Sequence, residues 1–346
     1  MSPDPLPFLI IAAVALVLVV MVAPTQATRS TLMVRGAGGL AGMVAIALVP
    51  TLDLALLVVL ALAAVQAALP GSRRLATRLR APVLAVALLA LALLFVRVSG
   101  PELLARFAAI GIVAGLAAGV GLLPYMHEFD PDEPVTVSPV AWMAFIGPVF
   151  VAVVLSRARG LVAAEAGVLG AMLIGLGLVN MVWGSVAAWR TESSVAAWRY
   201  SFMADWGLAL CGFGLAVTDG EAGALLILFS VMLGRLPLYI ASRPALREKT
   251  ATDRPINLIA AALLAGSAPF AGFAARVLLL RGATDLFWPL ALALALAMLL
   301  SLPGSLRLGR SLGITRGRQA LAVGIVVAIN ALIGLYPQPI LQLVGL

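Results

Sequence analysis

Apolar runs recur along the entire sequence, each near the ~20 residues that an α-helix needs to cross ~30 Å of hydrocarbon. The stretches 6–24, 82–98 and 286–304 are examples, with one charged residue, Arg97, among the three. A chain built this way is a polytopic helical membrane protein. The overall balance agrees: 63% hydrophobic and 11% charged residues with a mean hydropathy of +1.11, against ~25% charged in a soluble domain. A soluble globule is excluded.

Spans are expected at 6–24, 36–50, 52–69, 82–98, 103–124, 137–156, 161–187, 199–217, 222–241, 257–280, 286–304 and 320–343. Twelve such spans take up ~240 of the 346 positions and leave roughly eight residues for each loop and tail. No separate soluble domain fits, so the chain reads as a single all-α transmembrane domain, 1–346, with leading helices in 1–50 and a core in 51–346. Its start, MSPDPLPF, has no positive stretch before the apolar run, which points to an uncleaved first span and not to a signal peptide.

The charge balance is 23 basic against 15 acidic residues. In a soluble protein that excess would suggest nucleic acid, but here the arginines sit between spans, where they set topology. Loops after odd-numbered spans hold sixteen positive charges, from Arg29 and Arg35 through Arg316 and Arg318. The opposite side carries five: Arg97, Arg106, Arg157, Arg159 and Arg281. By the positive-inside rule the odd loops face the cytoplasm and both termini face outward. The loop HEFDPDEP is the exception on the basic side, with four acids and no basic residue.

Ionisable side chains at membrane depth are costly and mark internal paths or pairs. The candidates are Asp53, Glu165, Asp205, Arg235 and Arg276. Asp53 follows Pro50 at the start of a span, so a helix cap and a channel role both fit it. Glu165 lies about a turn into its span and is open in the same way. Asp205 and Arg276 are deeper and favour an internal polar path, whereas Arg235 is near a span end, where a long side chain can snorkel. Gly and Pro cluster inside apolar runs at GLLPY, GRLPLY and GSAPFAGF. Unwound backbone at membrane depth is tolerated where protein or water satisfies it, as in transporter ion sites, although a packing kink gives the same pattern.

Lys249 is the sole lysine, Cys211 the sole cysteine and His127 the sole histidine. One cysteine excludes internal disulfides and cysteine-rich iron–sulfur sites, and one histidine cannot build a haem or zinc site with these partners. No cofactor is expected on this chain.

Four ordered segments resemble the antiporter-like proton channel subunits of complex I (subunits L, M and N), membrane-bound hydrogenases and Mrp-type antiporters. LPYMHEFDPDEPVTVS resembles the family's PFHxWLPDAxxxxPxPVS through Pro124, His127, Pro131, Asp132 and Ser138, with one extra residue before the histidine and a shortened stretch after Asp132. WRYSFMADWGLALCGFGL is similar to LAYSSIxxxGYxLxGL around Tyr200, Ser201 and Gly207. SAPFAGFAARVLLLRG is similar to PPLAGFxxKFxLFxA, and GLYPQPILQLV to LGLYPQPLLDL. The resemblance covers residues 50 to 346 and is nearest to an N-terminally shortened subunit of the N type.

The resemblance implies an antiporter-like bundle with discontinuous helices, in a bacterial-type cytoplasmic membrane. The implied partners are other antiporter-like and small membrane subunits and a redox module held by partner subunits. It also implies a mid-membrane proton row of a glutamate, two lysines and a further lysine or glutamate. Asp53 in TLDLALL resembles the glutamate, and Arg276 falls at the last position. The two central lysines fall at Gly119 and near Ile146 or Gly147, so both are missing. Arginine stays charged where a buried lysine can exchange a proton. Water in the space left by the glycines, relayed by His127, Glu165 and Asp205, is one expectation. A module that has lost or altered pumping is the other, with a stand-alone or Mrp-type antiporter and a pure scaffold as further readings.

Overall fold

The structure, a computed structural model, describes residues 6–68, 75–98, 102–129, 138–248, 254–313, 317–343 and 345. All regular structure among them is helical. The helices are α1 (Leu6–Val22), α2 (Gln26–Leu48), α3 (Leu52–Ala68), α4 (Leu75–Val98) and α5 (Glu102–Val120). Next, α6 runs through Pro139–Ala141 and Gly147–Leu161 around a π-turn at Trp142–Ile146. A 3₁₀ turn, Ala163–Glu165, leads into α7 (Ala166–Arg190), followed by α8 (Ser194–Leu215). Then α9 runs through Thr218–Ser230 and Leu236–Glu248 around a second π-turn at Val231–Arg235. The last elements are α10 (Pro255–Leu264), α11 (Ala271–Leu286), α12 (Trp288–Arg310), α13 (Arg318–Leu335) and the short α14 (Gln338–Leu343).

Each of the twelve expected spans is occupied by helix. Among the described residues, seven helices are long and apolar enough to cross a membrane, and shorter apolar helices fill four further positions. The remaining span is α8, which carries Arg199 and Asp205. Several boundaries differ from expectation: α4 starts at Leu75, seven residues early, and α9 and α12 run on to Glu248 and Arg310, past 241 and 304. Helix α2 starts ten residues early, so Arg29 and Arg35 lie in helix and not in a loop. Thr25 caps it, accepting from Thr28 N at 3.2 Å, and the Arg29 guanidinium donates to Ala23 O at the end of α1 at 3.1 and 3.0 Å. The tenth span is split into α10 and α11.

Burial arranges the bundle. Helices α6 and α9 are enclosed along almost their whole length, while α7, α12 and α13 turn Val179, Trp183, Leu296, Leu299, Leu321 and Leu332 outward. An apolar outer surface of this kind is what lipid accepts. Helix α1 is no appendage: it packs on α9 and α13, with Phe8 edge-on to Phe229 at 5.1 Å between ring centroids.

Helices α7 and α8 meet backbone to backbone. Gly170, Gly177 and Gly184, seven apart on α7, oppose Gly214, Gly207 and the Tyr200 carbonyl on α8. A Cβ on Gly177 would stand 2.5 Å from Gly207 O, and one on Gly207 would stand 2.5 Å from Gly177 O. Small residues drive association of this kind in lipid, where burying apolar surface gains nothing.

Candidate functional site

Two breaks in helix share one local geometry. Gly121-Leu-Leu-Pro124 follows α5, and Gly266-Ser-Ala-Pro269 separates α10 from α11. Each begins with a glycine at positive φ, 76° and 62°, where a Cβ is disfavoured. Each closes with the next amide bonded five residues back, Leu122 N to Ala117 O at 2.9 Å and Ser267 N to Ala262 O at 3.0 Å. Each has a cis X-Pro bond, and each is followed by an aromatic residue whose N–H bonds three back, Tyr125 N to Leu122 O and Phe270 N to Ser267 O. A polar side chain packs on each glycine: a Cβ would meet His127 Cδ2 at 2.7 Å on Gly121 and Arg276 Cζ at 2.8 Å on Gly266.

Buried backbone must find partners, and side chains from other helices supply them. At the first break the fully buried Asn180 of α7 accepts from Leu123 N at 2.9 Å through Oδ1 and donates to Leu176 O at 2.9 Å. At the second break Arg235 Nη2 donates to Leu264 O at 2.9 Å, and Arg276 Nη1 donates to Ala265 O. The π-turns are served in the same way. Trp206 Nε1 donates to Met143 O in α6 at 2.6 Å. Asn330 Nδ2 of α13 donates to Leu233 O in α9 at 3.2 Å and to Val326 O at 3.0 Å.

Around the second break lies a buried charge cluster drawn from α8, α9, α11 and α12. Arg235 Nε stands 2.5 Å from Asp205 Oδ2, with side-chain exposures of 6% and 13%. Arg235 Nη1 donates to Ser201 Oγ, and Arg276 Nη2 donates to Ser301 Oγ at 3.3 Å. Two guanidiniums face one carboxylate, so the cluster is positive overall. Arginine holds its charge, which makes Asp205 the titratable member.

Of the residues singled out by sequence, only Asp205, Arg235 and Arg276 are brought together. Arg235 does not snorkel to a span end; it is buried in a π-turn between the second break and α8. Asp53 sits in the first turn of α3, exposed, and pairs with the exposed Arg97. Glu165 is buried in the 3₁₀ turn before α7 and faces Arg106 at 3.6 Å. Both belong to one end of the bundle, where Arg159 pairs with Glu221, Arg281 pairs with Asp219 at 2.9 Å, and Arg157 donates to the carbonyls of Ala47 at 3.1 Å and Thr51 at 3.3 Å. All five arginines assigned to the less basic side are therefore engaged, four of them by carboxylates. His127 lies apart from the cluster, in the loop after α5. Burial holds its pKa below the ordinary 6.5 and the Arg80 charge pushes the same way, against a hydrogen bond with the Ala118 backbone. Asp132 lies outside the described residues.

The space expected at Gly119 and near Ile146 or Gly147, where the resemblance puts the central lysines, is filled by side chains. A Cβ on Gly119 would lie 2.6 Å from Phe150 Cε1 and 3.3 Å from Ala85 Cβ. On Gly147 it would run into Trp142 O and lie 2.9 Å from Val120 Cγ1. Packing, not vacancy, fills the middle of the expected row. Sequence reasoning missed Asn180, Trp206 and Asn330. The two asparagines carried a usable signal, since an amide inside an apolar run costs free energy unless it is bonded. Among the described residues no group of three His, Cys, Asp or Glu side chains converges as a metal site.

No family model matches the sequence, and no curated protein does either. Solved structures do. A chain in the structure of the Mrp complex from Dietzia sp. DQ12-45-1b superposes with a TM-score of 0.75 at 13% identity, covering 98% of this chain and 82% of that one. A chain of respiratory complex I from Thermus thermophilus with bound NADH gives 0.73 at 15%, covering 98% and 83%. The chain has the antiporter-like fold of these complexes. It is a multi-pass membrane protein of that architecture, and the resemblance read from four short motifs coincides with a likeness spanning nearly every residue.

Proposed function

We propose that the chain is a membrane-arm subunit of a complex I-like or hydrogenase-like assembly, taking part in or derived from proton translocation driven by redox chemistry on partner subunits. The observation that carries this is the cluster at the second break. It sits at the antiporter-like fold's discontinuous helix, yet it is built from two arginines and one aspartate. The resemblance puts the central lysines at Gly119 and near Ile146 or Gly147, and both glycines are packed, by Phe150 and by Trp142 and Val120. A fixed positive charge beside one titratable acid suits a subunit that senses and transmits electrostatic change to neighbours better than one that conducts along a lysine row. Other antiporter-like and small membrane subunits are its partners in this reading. The odd-numbered loops face the cytoplasm and the termini face outward.

The likeness to the Mrp chain is as close as that to complex I, which supports one second reading, a subunit of a cation/proton antiporter. Purification through a tag on this chain in mild detergent, followed by mass spectrometry of what accompanies it, separates the two. Partners bearing iron–sulfur, NADH-binding or nickel–iron signatures support the redox-driven assembly; antiporter-like partners alone support the second reading; a chain isolated by itself sinks both. In the redox-driven assembly, Asp205→Asn and Arg276→Ala should impair coupled proton transport. Intact transport in both would reduce the chain to a scaffold.

A further inference from the structure

A groove of ≈ 510 Å³ opens between α5 and α7. Its lining is apolar apart from one hydroxyl, that of Tyr125, and it includes the exposed Ile110 and Val179. It is bounded at both ends. Near the starts of the two helices, Arg106 of α5 faces Glu165, just before α7, at 3.6 Å. At the other end the first break crosses, with Leu123 and Pro124 in the lining and Leu123 N held by Asn180 Oδ1 of α7 at 2.9 Å. Gly175 also lines the groove. The glycines of α7 that press on α8 lie on the opposite side, whereas a Cβ on Gly175 would meet nothing within 4 Å.

Depth and size decide what fills this space. Ile110 and Ala117 lie eight and fifteen residues into α5, or ~12 and ~22 Å at 1.5 Å per residue. Met172 and Val179 lie six and thirteen residues into α7, or ~9 and ~20 Å. The groove is therefore ~10 Å long and sits wholly within hydrocarbon that is ~30 Å thick. A helix ~10 Å across fills ~420 Å³ per turn, so the groove takes little more than one turn of a partner helix. The break stops such a helix from continuing. Hydrocarbon tails fit better. A methylene is close to a water in size, ~30 Å³, so the groove holds ~17 of them. With carbon–carbon bonds of ~1.5 Å, one extended chain puts about eight into ~10 Å of depth. Two chains side by side supply the number.

We propose that the groove is a binding site for one diacyl phospholipid from the leaflet at the charge-matched end, with both tails between α5 and α7 and their tips against Leu123 and Pro124. The headgroup of that lipid stands at the height of Arg106 and Glu165, whose charges offset each other, so selection acts on the tails and not on the headgroup. The lipid packs the first break from the bilayer side as Asn180 bonds it from within the bundle.

Gly175→Trp puts an indole into the groove without touching the seam with α8, and Gly175→Ala leaves the space open. The purified assembly carrying each chain is stripped of lipid in detergent. Dipalmitoyl phosphatidylcholine, dipalmitoyl phosphatidylglycerol or the one-tailed palmitoyl lysophosphatidylcholine is then added back, and retained lipid is counted by native mass spectrometry. The unaltered chain and Gly175→Ala should each retain one diacyl lipid more than Gly175→Trp. The two headgroups should give affinities within twofold for that lipid, and the one-tailed lipid should bind at least fivefold more weakly. Equal retention in Gly175→Trp, equal binding of the one-tailed lipid, or retention of phosphatidylglycerol alone would overturn the proposal. A photoreactive side chain at Val179 gives a second measurement in native membranes if Gly175→Trp does not accumulate. Its adduct should have the mass of a phospholipid, and an adduct to a polypeptide would assign the groove to a partner helix instead. Neither measurement depends on which subunits accompany the chain, so failure here leaves the subunit assignment to its own experiment.

Discussion

Trp206 on α8 donates its indole N–H to the carbonyl of Met143, 63 residues earlier, inside the π-turn of α6. Asn330 on α13 does the same for Leu233 inside the π-turn of α9. The two most enclosed helices are thus the two that contain π-turns among the described residues, and each has a donor from another helix set into its ladder, one of the recognised causes of local irregularity in helices. Trp206→Phe keeps an aromatic ring and removes the donor, and Asn330→Leu removes both polar atoms. Each should cost ~1–3 kcal/mol, the range for leaving a buried polar group unpaired. Denaturant titration of the purified chain measures it, and an unchanged midpoint for Trp206→Phe would mean that the Met143 carbonyl does not depend on the indole.

The Asp205–Arg235 pair calls for a double-mutant cycle. Removing one member of a buried ion pair leaves the other charge stranded and typically costs ~3–5 kcal/mol. Asp205→Ala and Arg235→Ala should each lower the melting temperature strongly, and the double variant should lie well above the sum of the two losses. Additive losses would show that the residues do not act as a pair.

Asp53 should behave in the opposite way. Its pair with Arg97 is exposed on both sides, at 45% and 66%, and exposed pairs contribute at most ~1 kcal/mol. Asp53→Asn should leave stability and coupled proton transport by the assembly essentially unchanged. Collapse of transport in this variant would put Asp53 back on the ion path.

His127 gives a pH signature. Its folded pKa lies below 6.5, so as the pH falls from that value the unfolded chain takes up a proton that the folded chain refuses. Stability therefore declines as pH falls from 6.5 toward the folded value and levels off below it. Melting curves between pH 8 and pH 5 should show this decline in the native chain and a shallower one in His127→Gln. Equal slopes would mean that the imidazole is not held neutral.

The α7–α8 seam is tested by Gly177→Val. The added carbons would overlap Gly207 O and Cys211 Sγ, which a Cβ alone would approach to 2.5 and 2.6 Å. The helices must part, and the monodisperse peak in detergent chromatography should be lost. By contrast, Gly175→Ala, which meets nothing within 4 Å, should preserve it.

The spans and the side-to-side charge asymmetry were legible because they depend on length and hydropathy, which each segment carries for itself. Both breaks were legible too, as GLLPY and GSAPFAGF. The π-turns were legible only in part: GRLPLY overlaps the second, and Pro148 and Pro237, which lack an N–H, follow the two turns, but the donors that serve Met143 O and Leu233 O come from distant helices and could not be read locally. Gly119 and Gly147 looked like empty places in the sequence, and only the fold brings Phe150, Val120 and the Trp142 carbonyl against them. The split among the candidate acids follows the same logic. Asp53 and Glu165 lie within a turn of a helix start, where a partner arginine from another helix end settles their role. Asp205 is too deep for that, and its partner had to come from α9.

The carboxylate-matched arginines at one end of the bundle have a counterpart at the other, where positive charge far exceeds negative. A matched end presents little field to its surroundings and is indifferent to the headgroups beside it. At the arginine-rich end, a cationic side chain exposed at headgroup height attracts anionic phospholipid by ~1 kcal/mol. The expected consequence is an annulus enriched in acidic lipid beside that end and not beside the other.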